Sequence, residues 1–183
     1  MNNNDIKSIL VSEEELEQIT TKLAKQITND YKNSNKKLVI LTILKGSFVF
    51  SADLVRKIDL PMEFEFMKVS SYGGDTVSSG NLKISLDISR KDLADLDILI
   101  IEDIIDSGFT LSNLREYLLE RGATSIKICT LLDKPSRRKL PLKADYVGAV
   151  IPDEFVVGYG LDYDEKYRPL RYVGVLAPHV YLK

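Results

Sequence analysis

The sequence predicts an α/β fold, in which a mostly parallel twisted sheet carries helices on both faces. Short apolar runs alternate along the chain with segments whose apolar residues recur at helical spacing. The runs at 38–44, 97–102 and 125–132 are apolar on both faces, as central strands of a parallel sheet are. Strands of this kind, joined by helices, form an open sheet whose ligands bind at the carboxyl ends of the strands.

Length and composition indicate one domain. The chain has 183 residues, of which 44% are hydrophobic, enough for a single substantial core. Its net charge of −2 argues against a nucleic-acid or membrane-surface partner, because neither polyanion would attract the chain as a whole. The single cysteine fits a reducing compartment, and the sequence shows neither a signal-peptide pattern nor an apolar segment of membrane-spanning length. We therefore expect a cytoplasmic protein.

The pattern in the first half of the chain predicts two helices and a two-stranded ribbon. Ser12 and Glu15 form a capping box, which predicts an amphipathic helix over 13–31. After the strand at 38–44, helical spacing resumes at Phe48. Further strands are predicted at 64–69 and 82–88, and they flank a serine-rich and glycine-rich stretch, 70–81, that predicts a long mobile loop.

The second half repeats the alternation of strand and helix. The strand at 97–102 ends in acidic residues, and Ile104 with Ile105 suggests a tightly packed turn after it. A helix is expected from Leu111 to about Arg121, before a glycine. Three more strands complete the series, at 125–132, 145–151 and 172–176.

The acidic stretch Ile98 to Leu111, "ILIIEDIIDSGFTL", allows three interpretations. It could be a strand end with solvated acids, in which Ser107 caps the next helix. It could be an acidic pair that binds magnesium, as in receiver domains, although the pair lies too far along the chain for such a domain. It could also be a phosphate cradle, because a Ser-Gly-x-Thr helix start offers free N–H groups, hydroxyls and the positive end of the helix dipole.

Carboxylates just upstream would repel a phosphate, so they must face another part of the same ligand. A sugar diol fits, because a carboxylate accepts hydrogen bonds from hydroxyl groups. A phosphate cradle beside a diol clamp indicates a ribose 5-phosphate ligand.

With this stretch the sequence resembles the type I purine phosphoribosyltransferases, in particular those that use hypoxanthine and guanine. Further motifs of that family follow in order at 44–47, 70–80, 131–138 and 151–168. The resemblance covers nearly the whole chain. It implies one phosphoribosyltransferase domain, 1–183, with a core at about 35–150, a mobile lid loop at 70–81, and a small hood lobe from the N-terminal segment and about 151–183.

The resemblance also implies an activity. The family transfers the 5-phosphoribosyl group from 5-phosphoribosyl-1-pyrophosphate to a 6-oxopurine and releases pyrophosphate, with Mg²⁺ as cofactor. Hypoxanthine would yield IMP and guanine would yield GMP, in purine salvage. A homodimer or homotetramer is expected from the family. Two alternatives stay open: a regulator of the same fold that binds nucleotide or phosphoribosyl pyrophosphate, and an enzyme of the same fold that accepts xanthine.

The site residues implied by the resemblance fall into four groups. Asp106 would be the general base at N7 of the purine. The ribose 5-phosphate would be held by Glu102, Asp103, Asp106, Ser107, Gly108, Phe109 and Thr110. Pyrophosphate would be bound by Lys45, Gly46, Ser71, Tyr72 and Arg168, with a non-proline cis peptide bond before Lys45. The purine would be bound by Lys134, Phe155, Val156 and Asp162, and the metal by Asp162, Glu102 and Asp103.

Within the purine group, Lys134 selects the substrate class. A lysine donates hydrogen bonds and accepts none, so it suits the 6-oxo group of hypoxanthine or guanine better than the amino group of adenine. Phe155 would stack on the ring, and the backbone of Val156 would contact its edge. The relative preference for hypoxanthine and guanine would depend on the shape of the site near Val156 and Asp162, at the 2-position edge of the purine.

Overall fold

A computed structural model describes residues 4–71 and 82–182 of the chain. In chain order the elements are β1 (Ile6–Val11), α1 (Glu13–Tyr31), β2 (Lys37–Ile43), α2 (Phe48–Val55), β3 (Met62–Ser71), β4 (Leu82–Leu86), β5 (Leu96–Ile105), α3 (Phe109–Glu120), β6 (Ile126–Asp133), β7 (Tyr146–Val150), β8 (Val156–Val157), β9 (Val173–Leu176) and α4 (Pro178–Tyr181). The predicted lid loop, 70–81, lies outside the described residues except at its first two positions. None of the helices described is long and apolar enough to cross a membrane.

The main sheet has the strand order β4-β3-β2-β5-β6-β7. All neighbouring pairs are parallel except β3 and β4, which pair antiparallel. The chain passes from β2 through α2 outward to β3, and from β5 through α3 in the opposite direction to β6. The strand order therefore reverses between β2 and β5. In an open α/β sheet this switch point is the place where ligands bind.

Two hydrophobic layers cover the sheet, as predicted. Alternate residues of β5 point to opposite faces, so Leu99 and Ile101 pack with α1 and α2 while Ile98 and Ile100 pack with α3. All four side chains are buried. The apolar character of β5 on both faces thus follows from burial on both faces.

The predicted capping box also forms. Ser12 Oγ accepts a hydrogen bond from the amide of Glu15, and the Glu15 carboxylate accepts one from the amide of Ser12 at 2.7 Å. These two bonds satisfy amides that the first turn of a helix leaves without intrahelical partners. Helix α1 begins and ends where the sequence pattern indicates.

The sequence-based prediction was wrong around Ile104 and Ile105. They do not form a turn but extend β5, because Ile104 pairs with Leu132 and Ile105 with Asp133 of β6. The following helix begins at Phe109, within the Ser-Gly-x-Thr stretch that was predicted to open it. The acidic residues Glu102 and Asp103 therefore belong to a rigid strand.

A second, three-stranded sheet has the order β1-β9-β8 and is antiparallel. The residue pattern predicted a strand at 172–176 but placed it in the main series, and neither β1 nor β8 was predicted as a strand, although the family resemblance implied a separate small lobe from these two parts of the chain. Val157 and Leu176 of this sheet are buried in a separate apolar cluster with Tyr167. The small sheet brings 151–176 back towards the carboxyl ends of the main strands.

Candidate active site

The carboxyl ends of β2 and β5 enclose a cleft of about 380 Å³ at the switch point. Most of the predicted phosphate and pyrophosphate residues line it, namely Lys45, Gly46, Glu102, Asp103, Asp106, Ser107, Gly108 and Thr110. Phe109, Lys134, Phe155, Val156, Asp162 and Arg168 are not on its wall. The side chain of Ser71 and the whole of Tyr72 lie outside the described residues.

The loop after β5 is suited to an anion. Gly108 has φ +87°, a left-handed conformation that glycine adopts without steric cost, and it directly precedes α3. The N-cap residue, Gly108, has no side chain with which to cap the helix, and the Ser107 hydroxyl accepts a long contact of 3.4 Å from the amide of Phe109. The N-terminus of α3, with the positive end of its dipole, lies at the cleft that Gly108 and Thr110 line, as a phosphate site requires. Helix capping is not the main role of Ser107.

Arg138 holds this loop in place, a function that the sequence did not reveal. Its Nε donates to the carbonyl of Asp106 at 3.0 Å, and its Nη1 donates to the carbonyl of Leu142 at 2.5 Å. Its Nη2 donates to the carboxylate of Asp133 at the end of β6. The arginine therefore fixes the phosphate loop to the neighbouring strand through charge-assisted bonds.

Glu102, which is buried, and Asp103, which is half-buried, form an acidic pair at the end of β5. Burial raises the pKa of Glu102 well above its usual range, and the charge of Asp103 raises it further. Burial also raises the pKa of Asp103, although its hydrogen bonds, first with Glu102 and then with the amide of Ile104, and the charge of Arg168 oppose this effect. The pair is costly to keep fully ionised without a cation or hydroxyl donors nearby. A ligand that supplies them is stabilised here.

Gly46 allows the loop after β2 to contact this pair. A Cβ atom at Gly46 would lie 1.4 Å from Asp103 Oδ2, so no other residue fits without displacing the carboxylate. The peptide bond between Leu44 and Lys45 is cis, which confirms what the family resemblance implied. The backbone of this loop and the Asp103 carboxylate thus form one continuous wall of the cleft.

Asp106 presents one oxygen in a form suited to proton transfer. Its Oδ1 is shielded from solvent and accepts no hydrogen bond from any residue in 4–71 or 82–182. Arg137 Nε lies 3.2 Å from Oδ1 as an ion-pair partner, and Nη1 of the same arginine lies 3.3 Å from Asp153. A buried oxygen without a hydrogen bond can accept a proton or a donor from a ligand.

Lys134 follows β6 directly and lies beside the phosphate loop. Its backbone amide donates to the carbonyl of Ile105, and its Nζ donates to the carbonyl of Glu154 at 2.6 Å. Burial lowers the pKa of this lysine, while the carboxylates of Asp106 and Asp153 oppose the shift. A buried lysine held by one carbonyl keeps further N–H donors for a ligand.

Phe155 lies at the start of β8 and remains 39% exposed. Tyr163 contacts it edge-on, with 5.5 Å between ring centroids, and Tyr181 of α4 stacks on it at 5.0 Å. The exposed part of the ring is an apolar surface on which a planar ligand can stack. Val156, the next residue, is buried in the main core.

Asp162 and Arg168 form an ion pair of 2.9 Å beside this region. Arg168 Nη1 also donates to the carbonyl of Gly160 at 2.8 Å. Among the residues described, no group of three or more acidic, histidine or cysteine side chains is arranged to hold a metal, so Asp162 does not join Glu102 and Asp103 in one cluster. The acidic pair alone still fits Mg²⁺, which often binds one or two carboxylates and completes its shell with water and phosphate oxygens.

The acidic pair makes a pH-dependent contribution to stability. The folded protein binds a proton at this pair more readily than the unfolded chain, so stability falls as pH rises from about 4.5, the unfolded value for Glu102, through the raised pKa values of the fold. We expect Glu102→Gln to gain stability over the original protein as pH rises from 5 to 8 in metal-free buffer, measured by urea unfolding. Glu116→Gln, which changes an exposed glutamate of α3, is the control. Unfolding curves with the same pH dependence for Glu102→Gln and the original would contradict this account.

Comparison with known proteins agrees with the geometry. The model of the phosphoribosyl transferase domain family matches residues 8–164. The hypoxanthine-guanine phosphoribosyltransferase of Bacillus subtilis (strain 168) is 52% identical over 181 residues, which are 99% of each chain.

Solved structures give the same result. A hypoxanthine phosphoribosyltransferase from Staphylococcus aureus has 49% sequence identity and a TM-score of 0.92, covering 98% of this chain and 96% of that chain. A mutant hypoxanthine phosphoribosyltransferase from Trypanosoma cruzi, solved as a ternary substrates complex, has 42% identity and a TM-score of 0.89. The match covers 97% of this chain and 98% of that chain. The chain belongs to the phosphoribosyltransferase family, and within it to the hypoxanthine-guanine phosphoribosyltransferases.

Proposed function

We propose that this enzyme transfers the 5-phosphoribosyl group from 5-phosphoribosyl-1-pyrophosphate to hypoxanthine, forming IMP, and to guanine, forming GMP, in purine salvage. One observation carries the proposal: the acidic pair of β5 and the N-terminus of α3 line the same cleft, so a diol and a phosphate can be bound together. The full-length similarity to hypoxanthine-guanine phosphoribosyltransferases supports the same reaction.

The ribose 5-phosphate is held between the two loops. Its phosphate accepts hydrogen bonds from the backbone and hydroxyls of 106–110, and its two ring hydroxyls donate to Glu102 and Asp103. The acids also face the ribose carbon that gains positive charge as pyrophosphate departs. Lys45, the backbone of Gly46, and Arg168 neutralise the departing group, together with Ser71 and Tyr72 of the lid.

The purine is held between β6 and β8. Lys134 donates to the 6-oxo group, Phe155 stacks on the ring and the backbone of Val156 contacts the edge that carries the 2-position. Asp106 takes the proton from N7 as the new bond to the ribose forms. Its shielded Oδ1 has Arg137 as an ion-pair partner at 3.2 Å, and the purine would replace that partner.

Magnesium is the proposed cofactor. Glu102 and Asp103 would hold it together, and Asp162 would contribute a metal contact apart from that pair. When bound, it offsets the negative charge of the pyrophosphate group. The two buried acids of β5 fit this role because their own charges repel each other. Asp162 is paired with Arg168 in the free protein and would have to exchange that partner.

We infer the following organisation for the whole enzyme. The chain forms one domain with a core at about 35–150, and the sheet of β1, β9 and β8 acts as a hood over the purine. Residues 70–81 act as a lid that excludes water from the activated ribose. The enzyme works in the cytoplasm as a homodimer or homotetramer.

A spectrophotometric assay with phosphoribosyl pyrophosphate and magnesium tests the function. We expect turnover with hypoxanthine and guanine, and little with adenine because Lys134 cannot accept from its amino group. Xanthine is included because an enzyme of this fold could accept it. If a folded preparation turns over neither hypoxanthine nor guanine, the proposed function is wrong.

Asp106→Asn tests the base. The substitution keeps the size of the side chain but removes its ability to take the proton, so we expect kcat to fall by about 10²-fold to 10⁴-fold. Binding of IMP, measured by calorimetry, should change little because the phosphate contacts are mainly to the backbone. Unchanged kcat would remove Asp106 from the base role.

Lys134→Gln tests substrate selection. The glutamine loses the charge and the reach of the lysine, so we expect kcat/KM for hypoxanthine to fall by about tenfold to 10²-fold. The matched control is Lys139→Gln, since Lys139 belongs to the same basic segment but is exposed. Equal effects of the two substitutions would indicate a general charge effect instead of contact with the 6-oxo group.

A further inference from the structure

Glu165 lies between the two cations that the proposed function assigns to pyrophosphate. Its Oε1 lies 2.8 Å from Lys45 Nζ, and its Oε2 lies 3.1 Å from Arg168 Nη2. The two oxygens thus bind two different cations, as neighbouring oxygens of a pyrophosphate group could. The Lys45 ammonium, followed by Arg168, holds the pKa of Glu165 below its usual value, so the carboxylate is ionised at neutral pH.

An uncommon turn presents this carboxylate. Asp164 and Glu165 both have left-handed backbones, with φ +52° and +58°, a region that L side chains seldom adopt. Two features stabilise the turn: Asp162 Oδ2 accepts from the amide of Glu165 at 2.9 Å, and Tyr163 and Lys166 exchange backbone hydrogen bonds. The local conformation is unfavourable for glutamate, yet the surrounding contacts fix it.

The arrangement can release Glu165 without losing the cations. Arg168 stays anchored through its bond to the carbonyl of Gly160, which does not depend on Glu165, and its side chain is only 16% exposed. Glu165 is 65% exposed and Lys45 is 48% exposed, so the contact between them lies in solvent and can be exchanged for a ligand. Pyrophosphate carries more negative charge than one carboxylate and can displace it.

We propose that Glu165 is a resident counter-anion of the pyrophosphate subsite. It pairs with Lys45 and Arg168 in the free enzyme, is displaced by the pyrophosphate group of the substrate, and competes with pyrophosphate for the same cations. This inference rests on the proposed function. Its consequence is that Glu165 weakens pyrophosphate binding and thereby favours release of that product.

Calorimetric titration of the full chain with inorganic pyrophosphate, with magnesium present, tests the proposal. Glu165→Gln removes the competing charge while keeping the side-chain length, so pyrophosphate should bind roughly threefold to tenfold more tightly. Ribose 5-phosphate, which contacts the loop after β5 instead, should bind as to the original protein. In steady-state kinetics the KM for phosphoribosyl pyrophosphate should fall without a rise in kcat.

Two further variants separate this role from effects of the turn or of net charge. Asp164→Asn removes one negative charge from the adjacent left-handed position, whose ion pair is with Lys166 and not with Lys45 or Arg168, so pyrophosphate affinity should change little. Glu165→Asp keeps the carboxylate. Its affinity for pyrophosphate should therefore be closer to the affinity of the original protein than the affinity of Glu165→Gln is.

The outcomes are distinct. Pyrophosphate affinity that is unchanged or weaker in Glu165→Gln, in a protein that still binds ribose 5-phosphate normally, overturns the counter-anion role. Equal tightening in Asp164→Asn also overturns it, because general charge would then explain the effect. Loss of ribose 5-phosphate binding together with pyrophosphate binding in Glu165→Gln would indicate a structural role and overturn it as well. If the original protein neither transfers phosphoribosyl groups nor binds pyrophosphate, the proposed function itself is wrong. If the original protein transfers phosphoribosyl groups but Glu165→Gln binds pyrophosphate no more tightly, only the counter-anion role is wrong.

Discussion

Burial of two adjacent carboxylates at the end of β5 is the constraint on which the rest of the site depends. Glu102 and Asp103 cannot both be ionised cheaply in that position, since burial raises both pKa values and the charge of Asp103 raises that of Glu102 further. Two residues from other parts of the chain accommodate this negative charge. Gly46 lacks the side chain that would strike Asp103, and the charge of Arg168 opposes the rise in the pKa of Asp103. A ligand with hydroxyl groups and a metal ion would relieve the repulsion further, so binding and electrostatic relief occur together.

Strand register places the opposite charges within reach of the same ligand. Because β2, β5 and β6 are parallel neighbours, the loops that follow them meet at one edge of the sheet. Lys45 follows β2, Asp106 follows β5 and Lys134 follows β6. A sugar phosphate with a pyrophosphate on one side and a base on the other needs this alternation of acid and cation over short distances. Arg138 then fixes the loop between β5 and α3 to the end of β6, so that the spacing is retained.

The sequence was informative where the signal is local. The capping box of α1 and the apolar strands β2, β5 and β6 were predicted because their patterns arise from neighbouring residues. The three-stranded sheet was not predicted as a unit, because β8 has only two residues and its pairing with β9 joins distant parts of the chain. Ile104 and Ile105 were misread because acidic neighbours suggested that the strand had ended. The acidic pair and the Ser-Gly-x-Thr helix start were recognised as a sugar-phosphate site from the residues themselves. Lys45, Lys134 and Arg168 were assigned only through the family resemblance, since each would otherwise be an ordinary charged residue.

The residues that were missed share a physical property: their partners are fixed by tertiary structure. Arg138 acts mainly on backbone carbonyls, which carry no signal in the sequence, and Tyr181 contacts Phe155 only because α4 follows the small sheet. Glu165 is the clearest example, because its left-handed conformation contradicts the local preference of glutamate. In natural proteins the backbone conformation that each residue prefers usually agrees with the conformation that the fold requires. Residues for which the two disagree are concentrated at functional sites. A glutamate held in an unfavourable turn, with one oxygen on each of two cations, is therefore better explained by the charge it supplies than by the turn it occupies.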